Sequence, residues 1–400
     1  VEHVIRIYTV APTWAGIAVQ YKAKYLGFFL GPEREEASWS KPLKTLATRA
    51  KAWGRTGGGL LLTLLAYAVY VLPVVLFVAQ LEKLPVNWAE HESNMLQKLL
   101  PGPRHWFQPD ALRGLKLLGF PRCIPDLRKL SVSIRFRVAS KEDAKSGGLR
   151  VSIRAAALHR DMIYCSFLPR LARWTSWYNS SALFSLEDAV RECSSKGVNV
   201  HQIEESLAKA AERPWTFKVH QQVQRQWQKQ VLNSIADSPF PALERYMRKK
   251  LERWPISVLP RRRVDRAMAA LPCVAKLVPP RVLAAVLKTI WNAWCTGRRF
   301  QNAQHCCMFG CRFGGDSIEH YGRCQHVWEF FGQNFPREFV PDVDDRLATF
   351  LLLGTAVNQV EHQTERLRCY ALLVGATYLS HNTWRHRVVE MSRDTVLEAM

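Results

Sequence analysis

Acidic side chains are in short supply in this sequence: 34 Asp and Glu stand against 56 Lys and Arg, a formal net charge of +22. An imbalance that large points to a polyanionic partner, nucleic acid first and an anionic membrane surface second. Several catalytic signatures are missing as well. There is no Gly-x4-Gly-Lys-Ser/Thr phosphate loop, no Gly-x-Gly-x2-Gly behind a strand, no His-Glu-x2-His and no Gly-x-Ser-x-Gly. No cysteine sits in a nucleophile motif, and there is no internal repeat. Nothing among these motifs argues for a self-contained hydrolase or oxidoreductase. A disulfide framework is missing too. Cys123, Cys165, Cys193, Cys273, Cys295 and Cys369 are scattered singly, as in a protein of the nucleus or cytoplasm, where thiols stay reduced. No signal peptide is expected from the residues that follow Val1. With Val1 first and a strand-like run directly behind it, the sequence is expected to be a fragment of a longer reading frame.

What is present is an apolar fraction of 48% with 14 tryptophans, enough for an aromatic-rich core in a chain of this length. The predicted class is mainly α, with a short β remnant at the N-terminus. β-Branched content predicts a strand at Val4–Val10, and further short strands are expected at Ile17–Tyr21 and Tyr25–Leu30. Helical spacing of leucines predicts helices over Asn87–Leu100 and Pro109–Leu118. Ser131–Val138 alternates apolar and polar residues and by its period reads as a strand. Mainly helices are expected from Arg154 to Asn233, then over Val282–Trp294, Leu347–Leu353 and Glu365–Arg385. Trp291 and Trp294 share a face and are assigned to the core.

The chemistry concentrates late in the chain. Cys307-x3-Cys311-x8-His320-x3-Cys324 is a compact Cys-Cys-His-Cys box. Zinc takes four such ligands in a tetrahedron, and a short loop followed by a helical turn supplies them. His320 and Cys324, four apart, are expected on one face of one helix. Gly310, Gly314 and Gly315 let the loop fold back. Cys306 competes as first ligand, and His305 and His326 are spare donors. The alternative is a cluster of buried thiols beside a surface histidine.

Arg245–Arg266 is the densest basic stretch. Lys249, Lys250, Arg253, Arg261, Arg262 and Arg263, continued by Arg298 and Arg299, are the candidate phosphate contacts. Tyr246 and Trp254 sit among them as candidate base platforms. The competing reading is an ordinary solvated basic face.

Gly57–Leu81 carries no charge and is long enough to span a bilayer, with Lys41, Lys44, Arg49, Lys51 and Arg55 on its N-terminal flank. The competing reading is a pair of buried helices broken near Pro73. A single-span membrane protein with a basic soluble region is therefore one alternative. A stand-alone zinc-dependent nucleic-acid-binding protein is another.

Lys24-Tyr25-Leu26-Gly27, followed by Trp39, Lys41, Arg49-x3-Trp53 and Leu100-Pro101-Gly102-Pro103-x2-Trp106, resembles the reverse transcriptases of non-LTR (LINE-type) retrotransposons. In that family the first element closes the palm and a helical thumb follows, while a Cys-Cys-His-Cys box lies far downstream. The resemblance implies a palm end over 1–32, a helical thumb-like region over 33–130, a basic helical linker over 131–300, a zinc knuckle over 301–330 and C-terminal helices over 331–400. It implies RNA and/or DNA as partners, together with the palm and fingers upstream in the same polyprotein. It also implies a structural Zn2+, and Mg2+ only in the catalytic palm. The family's catalytic aspartates have no match here. Asp344-Asp345 follows Pro341 and Asp342 and reads as a helix cap and first turn. The parent would be an RNA-directed DNA polymerase, and this chain alone is expected to be inactive.

Overall fold

The computed structural model describes residues 22–25, 28–30, 37–103, 105–146, 191–199, 217–235, 239–258, 260–300, 306–311, 314–354 and 362–385. The strands expected at Val4–Val10 and Ile17–Tyr21 lie outside these residues, as does most of Arg154–Phe217. The described chain is mainly helical, with one small two-stranded sheet near its start. It divides into two compact units that interleave along the sequence. One draws on Val1–Thr48, Leu72–Ala89 and Asp126–Asp237, the other on Arg49–Val71, Glu90–Pro125 and Ser238–Met400.

In the first unit the strand expected over Tyr25–Leu30 is instead divided between the two strands of a hairpin. Ala23–Tyr25 pairs antiparallel with Phe28–Leu30, with Lys24 opposite Phe29. The hairpin is tied to the start of the helix Ala37–Gly54. The Phe29 amide donates to Ser38 Oγ (2.8 Å), and Ser38 Oγ donates to the buried Glu82 carboxylate (2.7 Å). Beside it Trp39, buried against Trp88, donates its indole N–H to the Lys83 carbonyl (3.1 Å).

Ser131–Val138 is not a strand. It lies in the helix Leu127–Ser146, which packs against Pro73–Leu81 and Phe217–Ile235. Every residue from Ser131 to Phe136 is buried, so no polar face remains to mark a 3.6-residue period. The serines are absorbed in the way helices absorb them, Ser131 Oγ donating to Arg128 O and Ser133 Oγ to Leu130 O. Arg135, equally buried, is ion-paired with Glu192 and donates to Glu82 O.

The second unit is built on helices Phe240–Leu251, Pro260–Leu277, Pro280–Ile290 and Gln363–Arg385, with Gly59–Ala66 and the short Pro109–Arg113 packed on them. Val282 meets Gly375, where a β-carbon would crowd its methyls at 3.0 Å. The core is aromatic. Trp291 and Trp294 are fully buried, as their spacing predicted, and the Trp294 indole N–H donates to Thr289 Oγ1 (3.0 Å). The apolar stripe Leu367, Tyr370, Ala371 and Val374 is buried along Gln363–Arg385.

Gly57–Leu81 forms the helix Gly59–Ala66, a π-helical turn Tyr67–Val71 and the helix Pro73–Leu81. No single helix among the described residues is long and apolar enough to cross a membrane. The two halves pass such a test only when taken together across their bend.

Candidate metal centre

The approach to the cysteine box is set by a helix stop. Asn292, with φ 51°, ends Pro280–Ile290 in a left-handed conformation. The Asn292 and Ala293 amides turn back to Thr289 O (2.9 Å) and Lys288 O (2.7 Å), the paired bonds of a Schellman motif. The chain then runs to Gly297 and Arg298, whose amides are caught by Asp316: Gly297 N–H by Oδ2 (2.6 Å) and Arg298 N–H by the Asp316 carbonyl (3.1 Å).

The box itself folds as a loop closed at its base. Cys306 bridges Gly315, and the Cys307 amide donates to Gly314 O (2.9 Å). Inside the loop Gly310 takes a left-handed backbone (φ 74°) and its amide returns to Cys307 O (3.2 Å). This turn aims the amides of Phe309 (3.4 Å) and Cys311 at Cys307 Sγ. Ser317 caps the helix Ile318–Tyr321 by accepting from His320 N–H (3.1 Å).

His320 and Cys324 do not share a helix, contrary to the spacing. The first helix ends at Gly322, and Cys324 is the N-cap of the next, Gln325–Asn334. Gly322 packs so closely on Leu347 that a β-carbon would lie 2.6 Å from its Cδ1. The tight turn, with Arg323 N–H on His320 O (2.9 Å), still delivers both side chains to one point.

Three of the four expected ligands meet there. Cys307, His320 and Cys324 present ligand atoms that all lie within 4.8 Å of one another, and the two cysteines are buried. Cys307 Sγ and Cys324 Sγ are 3.9 Å apart. Two sulfurs each about 2.3 Å from one zinc, at the tetrahedral angle, lie about 3.8 Å apart. His320 Nε2 is buried and has no hydrogen-bond partner. Such an atom costs about 1–3 kcal/mol unless something fills its need. Without an ion, one hydrogen bond joins the two sulfurs. That bond, with His320 and the Val327 amide, pulls Cys324 well below the usual thiol range against the opposing effect of burial. Cys307 rises correspondingly. Two sulfurs, one of them readily a thiolate, and a free imidazole nitrogen form a donor set that can hold a metal ion. The fourth expected ligand, Cys311, is half-buried and its sulfur is outside the gathered group. Of the spares, Cys306 is exposed and His326 faces Glu329 (3.1 Å). His305 is outside the described residues.

Behind the loop stands a buried network that sequence reasoning missed. Asp316 Oδ1 accepts from Tyr321 OH (2.5 Å) and from His381 Nε2 (3.1 Å). Burial would raise the Asp316 carboxyl, but the hydrogen bonds from His381, Tyr321 and Gly297 outweigh it and hold the group below its ordinary value. His381 extends the stripe of Leu367, Tyr370 and Val374 at helical spacing. Its place on that buried stripe was the available signal.

The basic stretch divides in two. Lys249, Arg253, Arg262 and Arg298 are exposed, Arg298 pairing with Glu319 (2.8 Å). Arg263 and Lys250 are not phosphate contacts but parts of the fold. Arg263 is buried and its guanidinium donates to the carbonyls of Leu251 (2.7 Å), Trp254 (3.1 Å), Ile256 (2.7 Å) and Val258 (2.6 Å). It thereby closes the turn where Phe240–Leu251 runs out of amide donors. Lys250 is buried and donates to His105 O (3.2 Å). Arg299 is half-buried and donates to Asn292 O. The Arg261 side chain is outside the described set. Tyr246 and Trp254 are core residues, not base platforms: Tyr246 OH donates to Trp106 O and the Trp254 indole N–H to Ile290 O (3.1 Å). One bond joins the two features. Arg323, inside the box, donates to Pro255 O (2.9 Å), on the turn that carries Arg253. Asp344 and Asp345 lie in a single 3-10 turn ahead of Arg346–Phe350, with Asp345 Oδ2 accepting from Thr349 Oγ1 (3.2 Å).

No family model, no curated protein and no solved structure matches this chain.

Proposed function

We propose that this chain grips nucleic acid through a basic surface braced by a zinc-held loop, as the C-terminal portion of a non-LTR retrotransposon reverse transcriptase. The observation that carries the reading is the Arg323–Pro255 bond, which ties the Cys307/His320/Cys324 group to the basic turn. Zinc is the ion that suits two thiolates and an imidazole at this separation, and bound there it supplies a structural cross-link. Cys311, whose backbone amide already reaches Cys307 Sγ, completes the tetrahedron in this reading. Lys249, Arg253, Arg262 and Arg298 hold phosphates of RNA or DNA. Polymerisation and its Mg2+ belong to a palm upstream of Val1, and the protein works in the nucleus or cytoplasm. A stand-alone zinc-dependent nucleic-acid-binding protein fits the same geometry and differs in having no catalytic aspartate pair encoded in frame upstream of Val1.

Binding of the full chain to RNA and DNA oligonucleotides, measured across a salt series, tests the grip. Affinity should fall steeply with salt, and Lys249→Ala with Arg253→Ala should lower the slope by about two. Chelation should weaken the same binding. Absence of binding even at low salt defeats the proposal.

A further inference from the structure

The half-buried Trp53 and the exposed Tyr70 form an aromatic pair that the grip just described does not use. Trp53 stands near the C-terminal end of the helix Ala37–Gly54, and Tyr70 in the π-helical turn Tyr67–Val71. Their rings stack, with centroids 5.1 Å apart and planes 22° from parallel. Tyr70 keeps half of its surface in solvent (51%), although the neighbouring Tyr67 and Val71 are fully buried. The π-turn presents Val69 and Tyr70 to solvent while Tyr67 and Val71 stay in the core. Such turns persist where a site uses them. Pro73 has no N–H, which leaves the carbonyls ahead of it short of donors. Arg49 answers one of them, donating from Nη1 to Tyr70 O (2.7 Å). Its guanidinium is thereby held at the Tyr70 main chain. Lys51 and Arg55 are exposed on the same stretch of chain.

We infer that Trp53 and Tyr70 form a stacking platform for an unpaired base of single-stranded nucleic acid, with Arg49, Lys51 and Arg55 holding the adjoining phosphates. The inference rests on the reading of the chain as a nucleic-acid-binding protein. A planar, two-ring stack with its outer ring open, flanked by cations and no carboxylate between Arg49 and Val71, is the combination by which single strands are held without sequence preference. A lipid surface would draw on the exposed Leu62 and Val69 as well, and would not need the two rings to stack on each other.

The test uses the full, zinc-loaded chain with a single-stranded oligonucleotide carrying 2-aminopurine, whose fluorescence is quenched when the base stacks. Wild-type protein and Tyr70→Phe should quench alike. Tyr70→Leu, which keeps apolar volume but no ring, should lose the quench and bind the single strand about tenfold more weakly. Its affinity for duplex should be unchanged. If Tyr70→Leu binds and quenches like wild type, the platform is overturned and the grip at the basic turn stands. If wild-type protein binds neither strand nor duplex at low salt, both fall. If Tyr70→Leu lowers binding to phosphatidylserine vesicles and leaves single-strand binding intact, the surface belongs to lipid and the inference is wrong.

Discussion

Gly314 lies so close to His320 that a β-carbon on it would sit 1.9 Å from the imidazole Nδ1. The glycine is the wall of the niche that holds the ring against Cys307 and Cys324. Gly314→Ala should therefore push His320 out of the group. The expected result is a fall in the zinc-to-protein ratio after dialysis. Overpacking should also cost about 1–3 kcal/mol of stability, read by urea denaturation. Retention of full zinc content by the alanine variant would show that His320 is not a ligand.

The pair Cys307 and Cys324 sets a second expectation. Cys307→Ser and Cys324→Ser should each abolish zinc retention, because each removes a buried sulfur from a 3.9 Å edge. Cys311→Ser should weaken retention less, since its sulfur has to be drawn into the group. Cobalt substitution gives the readout: thiolate-to-cobalt charge-transfer intensity should scale with the number of sulfurs bound. Equal spectra for wild type and Cys311→Ser would exclude Cys311 as the fourth ligand.

Arg263 offers a test of the split within the basic stretch. Its guanidinium satisfies four main-chain carbonyls, so Arg263→Met should destabilise the protein by about 3 kcal/mol. Arg263→Lys should recover only part, because an ammonium cannot match that fork of donors. Neither change should alter the salt slope of nucleic-acid binding by the folded fraction. A slope reduced by about one would return Arg263 to the phosphate-binding set.

Lys250 predicts a pH effect. Burial, followed by the neighbouring charges of Arg299, Arg253 and Lys249, lowers its pKa from 10.5 to about 8. Between those two values the unfolded chain binds more protons than the folded one, so stability rises with pH across the window. Below it the full cost of the buried ammonium remains. Denaturation at pH 7.5 and pH 10, settings chosen to bracket about 8, should show wild type gaining relative to Lys250→Met. Parallel curves for the two proteins would place the ammonium in solvent.

Much of the helical architecture was legible locally. The leucine spacing over Asn87–Leu100 corresponds to the helix Trp88–Leu99. Pro109–Leu118 is split at Gly114 into an α-helical turn and a 3-10 turn, but keeps its buried Leu112, Leu115 and Leu118. Ser131–Val138 misled because burial on all sides erases the polar face that distinguishes one period from another. The box was legible as ligand types at a spacing. That Cys324 starts a new helix was not, since it depends on Gly322 fitting against Leu347, a contact between residues far apart in sequence.

The sequence by itself determined that this is a basic, mainly helical chain with an aromatic core and a cysteine–histidine group of metal-ligand spacing. Those properties follow from composition and from local periodicity, which report which face of a segment leaves water. Tertiary structure alone decided which cations remain outside. Arg263 and Lys250 read like their neighbours, but helix ends and loops bring unpaired carbonyls to them, and a buried carbonyl without a donor is too costly to leave unmet. The same accounting placed His381 beneath the loop, where its imidazole and Tyr321 OH both answer the Asp316 carboxylate.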